Sequence, residues 1–272
     1  MPLLRKMLGL GAIFKRSVTL EIPVFGKVVR SDWRGLLMFR QFPFLRQFGE
    51  SDPRSADGQP CINHLDKKER EAVENWKNPT QKLARICNNG CVSACLHSWG
   101  VFALKVESPD DGMPTSAQEI AYQEFVVNEE KVCATLMDAL IRYYQLARQT
   151  QTEWFDWMDP EDLVENPDAI TFAKLASLHG MTVCRSSAKG VSPLLFSWSP
   201  IWEEEHGFQT IMYNGQVIMM GTDACDLVAH VPNIFLKQNE EYGIWGINQM
   251  TKIEKDALDE FVSNLEPARD LE

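Results

Sequence analysis

The stretch that decides the fold reads FQTIMYNGQVIMM and covers residues 208–220. In this stretch, two apolar runs flank the dipeptide Asn214-Gly215. Asn-Gly is a strong hairpin signal, because a type I′ turn needs positive φ at both of its central residues. Both runs carry apolar residues on each face, so we expect this hairpin to lie centrally in a larger sheet.

Further strands and several helices are predicted outside the hairpin. The period-two pattern of strands occurs in residues 18–33, 101–106, 181–185 and 191–198. Helical patterns occur in residues 66–76, 80–99, 115–127, 129–148, 159–166 and 251–265. In residues 129–148 the apolar side chains recur on one helix face. The preceding helix has Thr115 and Ser116 as cap candidates, with Glu119 within reach of a capping box. The sequence therefore predicts an α+β protein: a mostly antiparallel sheet with helices packed on one side.

The chain divides into four segments, which we expect to form a single domain with an inserted helical segment. Residues 1–48 are basic and hold the opening strands, and residues 49–100 form a polar loop followed by a helical insertion. Residues 101–249 form the α+β core with the hairpin, and residues 250–272 form a C-terminal helix and tail. A chain of 272 residues with 44% hydrophobic residues is long enough to bury its own core.

Charge is distributed unevenly along the chain. Residues 1–48 contain nine Lys and Arg against two acidic residues, whereas the remaining 224 contain 18 basic and 36 acidic residues, a net −18. An acidic body repels nucleic acid, so we expect no nucleic-acid partner for it. For the basic start we favour packing against the acidic body over contact with anionic lipid or nucleic acid.

The location we expect is the cytoplasm. Residues 1–14 lack the apolar core and cleavage site of a secretory signal, and no window approaches 18 apolar residues, so no transmembrane segment is expected. Seven cysteines, an odd number in a chain of this length, indicate reduced thiols rather than a disulfide framework.

A signature precedes the hairpin, where residues 202–207 read WEEEHG. Together with Asn214-Gly215 and GTDA at residues 221–224, it resembles a bacterial family of unknown function with Trp-Asp-x-Glu-His-Gly before a strand–turn–strand unit. The strand IPVFGK at residues 22–27 and the helical pair of residues 118–144, which ends in two tyrosines, resemble the same family. Glu203 stands where that family has Asp. The resemblance implies a small protein from the neighbourhood of bacterial toxin and immunity genes, and hence a binding role.

The signature residues allow two chemical interpretations, beside a third in which they contact a partner. In the first, Glu203, Glu205, His206 and Asp223 bind a divalent metal, and Glu205 and His206 act as the acid and base of a metal-dependent enzyme. In the second, which we favour, Trp202 packs in the core and Gly207 permits a bulge. Glu205 and His206 then bond to the backbone. On an extended strand Glu203 and Glu205 share one face and His206 points to the other, so a metal site would need a bend. We expect no metal and no cofactor.

Three cysteines occur at helical spacing. Cys87, Cys91 and Cys95 follow an i, i+4, i+8 pattern, with His97 just after them and Cys61 and His64 upstream. We interpret the three thiols as one buried helical stripe, because a zinc site rarely takes three ligands at this spacing. Asn88-Asn89-Gly90 could interrupt the helix and make a metal site easier to close.

An aromatic corner lies in an acidic stretch at residues 153–162. A helix-to-helix corner that packs inward is the simpler interpretation. The alternative is a partner-binding surface, formed by Trp154 and Trp157 with Asp156 and Asp159, that suits a basic protein.

The function we expect is a non-enzymatic protein-binding module, an immunity-like protein that neutralises a basic partner. The sequence has no phosphate-binding loop and no Gly-x-Ser-x-Gly elbow. The metal-dependent enzyme that uses the Glu/His signature is the alternative, and the sequence gives no oligomeric state.

Overall fold

The computed structural model of this chain describes residues 19–31, 35–49, 62, 65–87, 90–108, 112–156, 158, 163–168, 171–172, 175–202, 208–221 and 251–266. The strands are β1 (Thr19–Ile22), β2 (Gly26–Ser31), β3 (Gly35–Gln41), β4 (Val101–Glu107), β5 (Ala176–Val183), β6 (Ser187–Ala188), β7 (Leu194–Pro200), β8 (Phe208–Tyr213), β9 (Gln216–Gly221) and β10 (Leu265–Glu266). The helices are α1 (Lys67–Glu74), α2 (Gln81–Ile86), α3 (Gly90–Ser98), α4 (Ser116–Val127), α5 (Glu129–Thr150) and α6 (Lys252–Ser263).

One sheet holds eight of these strands in the order β1-β2-β3-β4-β5-β7-β8-β9, and β6 pairs with β10 in a short ribbon. Within the large sheet β4 and β5 are parallel, and the other neighbours are antiparallel. The parallel pair is possible because α4 and α5 lie between β4 and β5 in the chain and carry it back across the sheet. The predicted α+β class and mostly antiparallel sheet are confirmed.

The two faces of the sheet carry different helices. Leu36 and Met38 of β3 belong to the larger core, which includes the buried faces of α4, α5 and α6. Leu37 and Phe39 belong to a second core with the buried residues of α1, α2 and α3. Alternate residues of a strand point to opposite faces, so the helices that follow β4 lie on one side, and those of the predicted insertion cover the other.

The long helix α5 forms where its apolar spacing predicted it. Cys133, Leu136, Leu140 and Tyr144 are all buried on the face that packs against the sheet. The preceding helix α4 is capped by Thr115, as predicted, but Gln118 rather than Glu119 completes the capping box. With Thr115 at the N-cap, the third helical position is residue 118, and its side chain reaches back to the Thr115 backbone.

Two helix predictions are wrong in part. Residues 80–99 were expected to form one helix, but α2 ends at Ile86 and α3 begins only at Gly90. Cys87 is the C-cap residue of α2 and Cys95 lies in α3, so the two do not share one continuous helix, although both pack in the second core. The expected helix over residues 159–166 is absent from the described residues 163–168, which have no helical structure. Pro167 ends any helix near this point, because the residue before a proline avoids helical geometry.

The hairpin has the predicted bounds and turn. Asn214 and Gly215 have φ values of 50° and 72°, as a type I′ turn requires. A register shift between Ile211 and Met212 places one extra residue on β9. β8 lies between β7 and β9, whereas β9 is the last strand of the sheet within the described part of the chain.

Helix α6 is fixed to α5 by a partly buried ion pair. The Arg142 guanidinium lies 2.5 Å from the Glu254 carboxylate, whose side chain is 3% exposed. Glu254 also completes the capping box of α6 with Thr251. On the opposite end of α6, Lys189 pairs with Glu260 at 2.6 Å. In the described residues, no helix has the length and apolar character needed to cross a bilayer.

Candidate functional site

Trp202, the first residue of the signature, packs in the core with a side chain that is 2% exposed. Its ring centroid lies 5.2 Å from that of Tyr144, 6.1 Å from Phe172 and 6.2 Å from Phe155. Tyr144 also contacts both of the other rings, at 5.8 and 6.1 Å. These four residues form what we call the aromatic cluster. Trp202 is buried, as the structural interpretation of the signature predicts.

The aromatic cluster also fixes the described residues 163–168 against α5. The Tyr144 hydroxyl donates to the carbonyl of Val164 at 3.0 Å, and Arg148 Nη1 donates to the same oxygen at 3.1 Å. Burial raises the pKa of Tyr144, and the nearby Arg148 charge opposes that shift. Gln145 adds a hydrogen bond of 3.1 Å to Asn166. Tyr144 and Arg148, one turn apart on α5, therefore hold residues 163–168 in place through the Val164 carbonyl.

The paired tyrosines contact both described ends of the signature. Tyr144 contacts Trp202, the first residue of the signature, and the ring of Tyr143 lies 4.6 Å from that of Phe208, which directly follows the signature. Trp202 and Phe208 are both 2% exposed. In the described residues, the Trp202 indole N–H has no hydrogen-bond acceptor. The two anchors set where the signature begins and ends.

The remaining signature residues lie outside the described residues. These are Glu203, Glu205, His206 and Gly207, and Asp223 of the metal hypothesis lies outside them too. Their predicted roles stay predictions. Within the described ranges, no three His, Cys, Asp or Glu side chains are grouped so that they could hold a metal ion.

The aromatic corner of residues 153–162 is described in part. A 3₁₀ turn spans Thr152–Phe155, in which Phe155 is buried at 6% exposure, and Asp156 after it is exposed. Trp157, Asp159 and the Trp154 side chain lie outside the described residues. Phe155 and Met158 of this corner face the core, and Phe155 joins the corner to the signature residue Trp202.

Gln118 is a buried polar residue with a structural role that sequence reasoning missed. Its side-chain amide donates to the carbonyls of Glu107, Val183 and Cys184 at 2.7, 3.3 and 3.2 Å. These carbonyls lie at the carboxyl ends of β4 and β5. Gln118 therefore holds the ends of the parallel pair together. The sequence feature that could have drawn attention to Gln118 is its position three residues after the Thr115 cap, where a capping-box partner lies.

Burial raises the pKa of two of the described thiols. Cys87, Cys95, Cys133 and Cys184 form no disulfide. Burial, helped by the charge of Glu129, raises the pKa of Cys133 to about 12, and burial also raises the pKa of Cys87. Both groups are therefore neutral thiols near pH 7, and a neutral thiol is a poor nucleophile.

A family model described as a domain of unknown function, DUF6985, matches residues 92–227, which is half of the chain. The chain belongs to this family. The DUF6985 region runs from α3 to just beyond β9 and includes Gln118, both tyrosines and the whole aromatic cluster. Strands β1–β3 and helices α1, α2 and α6 lie outside the DUF6985 match. Comparison with curated proteins and with solved structures gave no match to this chain.

Proposed function

We propose that this protein is a non-enzymatic binding module that holds a basic protein partner, as a bacterial immunity protein holds the toxin that it neutralises. The observation that carries the proposal is the contact between Phe155 and Trp202 in the aromatic cluster, because each of these residues adjoins acidic residues in the sequence. Residues 153–168 contain seven Asp and Glu and no Lys or Arg, and residues 203–205 are three glutamates. Phe155 lies within the first stretch and Trp202 directly precedes the second, and their ring centroids are 6.2 Å apart.

The described acidic side chains of this region face solvent. Asp156, Glu165 and Asp168 are all exposed. Arg148 is the cation beside them, and it donates to the Val164 carbonyl while lying 5.9 Å from the Tyr144 ring. A surface with one sign of charge on a rigid support speeds encounter with an oppositely charged partner and rejects partners of the same charge.

The predicted partner-binding residues belong to this same region. Trp154 and Trp157 would supply large apolar contacts, and Asp156 and Asp159 would supply the charge that selects a basic partner. We place the protein in the cytoplasm, and the odd number of cysteines in the sequence, seven, supports that location.

The partner can be sought by photo-crosslinking in the native host. A photoreactive phenylalanine replaces the exposed Asp156, and a matched control carries it at the exposed Asp259 of α6. We expect a discrete adduct with a basic protein from position 156 alone, weakened by the additional change Glu165→Lys. The affinity of that complex should fall as salt is raised. No adduct at position 156, the same adducts from position 259, or an acidic partner would overturn the proposal.

The enzyme alternative is tested by elemental analysis of the natively purified protein. Plasma mass spectrometry would compare metal per chain in the wild type and in the Glu205→Gln/His206→Ala double variant. We expect no stoichiometric metal in either. Near-stoichiometric metal that disappears in the double variant would replace the binding module with a metal-dependent enzyme.

A further inference from the structure

A cleft of about 240 Å³ opens where α4 meets α5, beside the turn between β8 and β9. Its polar lining residues are Glu124, Asn128, Lys131, Ser192 and Asn214, and its apolar lining residues include Phe125, Val132, Leu194 and Met212. Sites for drug-sized ligands span about 300–1,000 Å³, so this cleft suits a smaller molecule. None of these residues belongs to the aromatic cluster or to the acidic stretches beside it.

Ser192 is a buried polar residue in the lining of the cleft. The residue is 2% exposed, and its hydroxyl has no partner among the described residues. Its backbone is held in place, because its N–H donates to the Ala117 carbonyl at 3.3 Å and the preceding Val191 pairs with Ala188. Burying a hydroxyl without a partner costs stability, and a polar ligand in the cleft would supply the missing partner.

The first turn of α5 favours an anion in the cleft. Asn128 is the N-cap residue, but its side chain makes no capping hydrogen bond to α5 and instead donates to the Glu124 carbonyl at 2.8 Å. A 22-residue helix with uncapped N–H groups presents partial positive charge at this end, and Lys131 adds a full charge in the same turn. Glu129 faces elsewhere, since its carboxylate accepts from Phe44 and Leu45, and the exposed Glu130 does not line the cleft.

Glu124 places a negative charge at the same cleft. It is exposed, and neither it nor Lys131 forms an ion pair with another described residue. Glu124 therefore offers an acceptor for a cation and Lys131 a donor for an anion, in a cleft that apolar side chains also line. A ligand that uses all of these groups carries both charges and a short apolar group.

We propose that this cleft binds a free α-amino acid with an apolar side chain. The ligand carboxylate binds the first turn of α5 and Lys131, the ammonium binds Glu124, and the side chain packs on Phe125, Val132 and Met212. The Ser192 hydroxyl completes the polar contacts. This site is independent of the basic protein partner, because the two use different residues.

The test is NMR titration of the full chain with L-leucine and two analogues that each lack one charge. 4-Methylpentanoate keeps the carboxylate, and 3-methylbutylamine keeps the ammonium. At ligand concentrations up to about 10 mM, millimolar affinities are detectable. We expect L-leucine to shift the resonances of the cleft residues and to bind at least about tenfold more tightly than either analogue, because each loses a charge-assisted hydrogen bond.

Variants locate the site on the chain. Lys131→Gln and Glu124→Gln should each weaken L-leucine binding by about tenfold, whereas the matched controls Lys252→Gln and Glu119→Gln should not change it. Ser192→Ala keeps the fold and should also weaken binding. No shifts with L-leucine, analogues that bind as well as L-leucine, or cleft variants that bind like their controls would overturn the proposal.

Discussion

A buried histidine makes the stability of this protein sensitive to mild acid. His97 of α3 is 3% exposed, and its ring stacks on that of Phe102 with centroids 4.5 Å apart. Its Nδ1 has no hydrogen-bond partner among the described residues. Burial, and then the charge of His179, lower the pKa of His97 from 6.5 to about 4, against a smaller opposing hydrogen bond to the His179 backbone.

The sign and size of the effect follow from proton linkage. Between pH 6.5 and about 4, the unfolded chain binds a proton at His97 and the folded chain does not. The free energy of unfolding therefore falls as the pH is lowered through this window, and it is fully retained above it. A difference of 2.5 pKa units corresponds to about 3 kcal/mol in total, and about 2 kcal/mol is already lost at pH 5.

Urea unfolding at pH 7.5 and pH 5.0 measures this contribution. We expect His97→Gln to be less stable than the wild type at pH 7.5 but to lose about 2 kcal/mol less than the wild type on acidification. The control His179→Gln replaces the exposed histidine, whose Nε2 lies 2.5 Å from Ser199 Oγ, and should keep most of the acid sensitivity. Equal losses in the wild type and His97→Gln would refute the assignment to His97.

Three further changes test the structural roles of single side chains by urea unfolding at neutral pH. Gln118→Met should lower the free energy of unfolding by about 3 kcal/mol, because it leaves the carbonyls at the ends of β4 and β5 without a donor. The control Gln123→Met, at an exposed position of the same helix, should change the free energy of unfolding by less than about 0.5 kcal/mol. Trp202→Ala should lower the free energy of unfolding by about 4 kcal/mol, and Trp202→Phe by only about 1–2 kcal/mol, because the indole N–H has no partner among the described residues that could be lost. Equal losses in the two variants would contradict this. Ser192→Ala should leave stability unchanged or raise it by up to about 1 kcal/mol, and a loss above about 1 kcal/mol would show that its hydroxyl is satisfied in the free protein.

Features set by local chemistry were predictable from the sequence. The turn at Asn214-Gly215 depends on two residues that tolerate positive φ, and the buried face of α5 depends on side-chain spacing within one helix. The core position of Trp202 was also predicted, because a large aromatic residue before a strand is usually buried.

Features that join distant parts of the chain could not be predicted in the same way. Gln118 contacts Val183 across 65 positions, and no pattern in the sequence records that the ends of β4 and β5 meet. The aromatic cluster likewise gathers residues from four separate segments. The cleft at Ser192 depends on where α5 begins relative to β7, which is set by packing rather than by local propensity.

Helix ends were the least predictable local feature. Residues 80–99 were predicted to form one helix, with Asn88-Asn89-Gly90 as the point where it could be interrupted, and α2 ends at Ile86 whereas α3 begins at Gly90. The three-cysteine stripe depended on that continuity, but the buried Cys95 and the partly buried Cys87 still pack in one core, as the favoured interpretation predicts. Thr115 was predicted as a cap of α4, and it is the N-cap residue. Its capping-box partner is Gln118 and not Glu119, because Glu119 would be the third helical position only if the cap were at residue 116.

The place where β3 meets β4 has a consequence for any attempt to isolate the family region. Seven residue pairs join these strands, from Gly35 opposite Glu107 to Gln41 opposite Val101, and β3 lies outside residues 92–227. A fragment cut at residue 92 would present β4 as a bare edge, stripped of its neighbour and of the α1–α2 cover. An unpaired apolar edge of this kind recruits other chains, so the fragment should aggregate while the full chain remains dispersed.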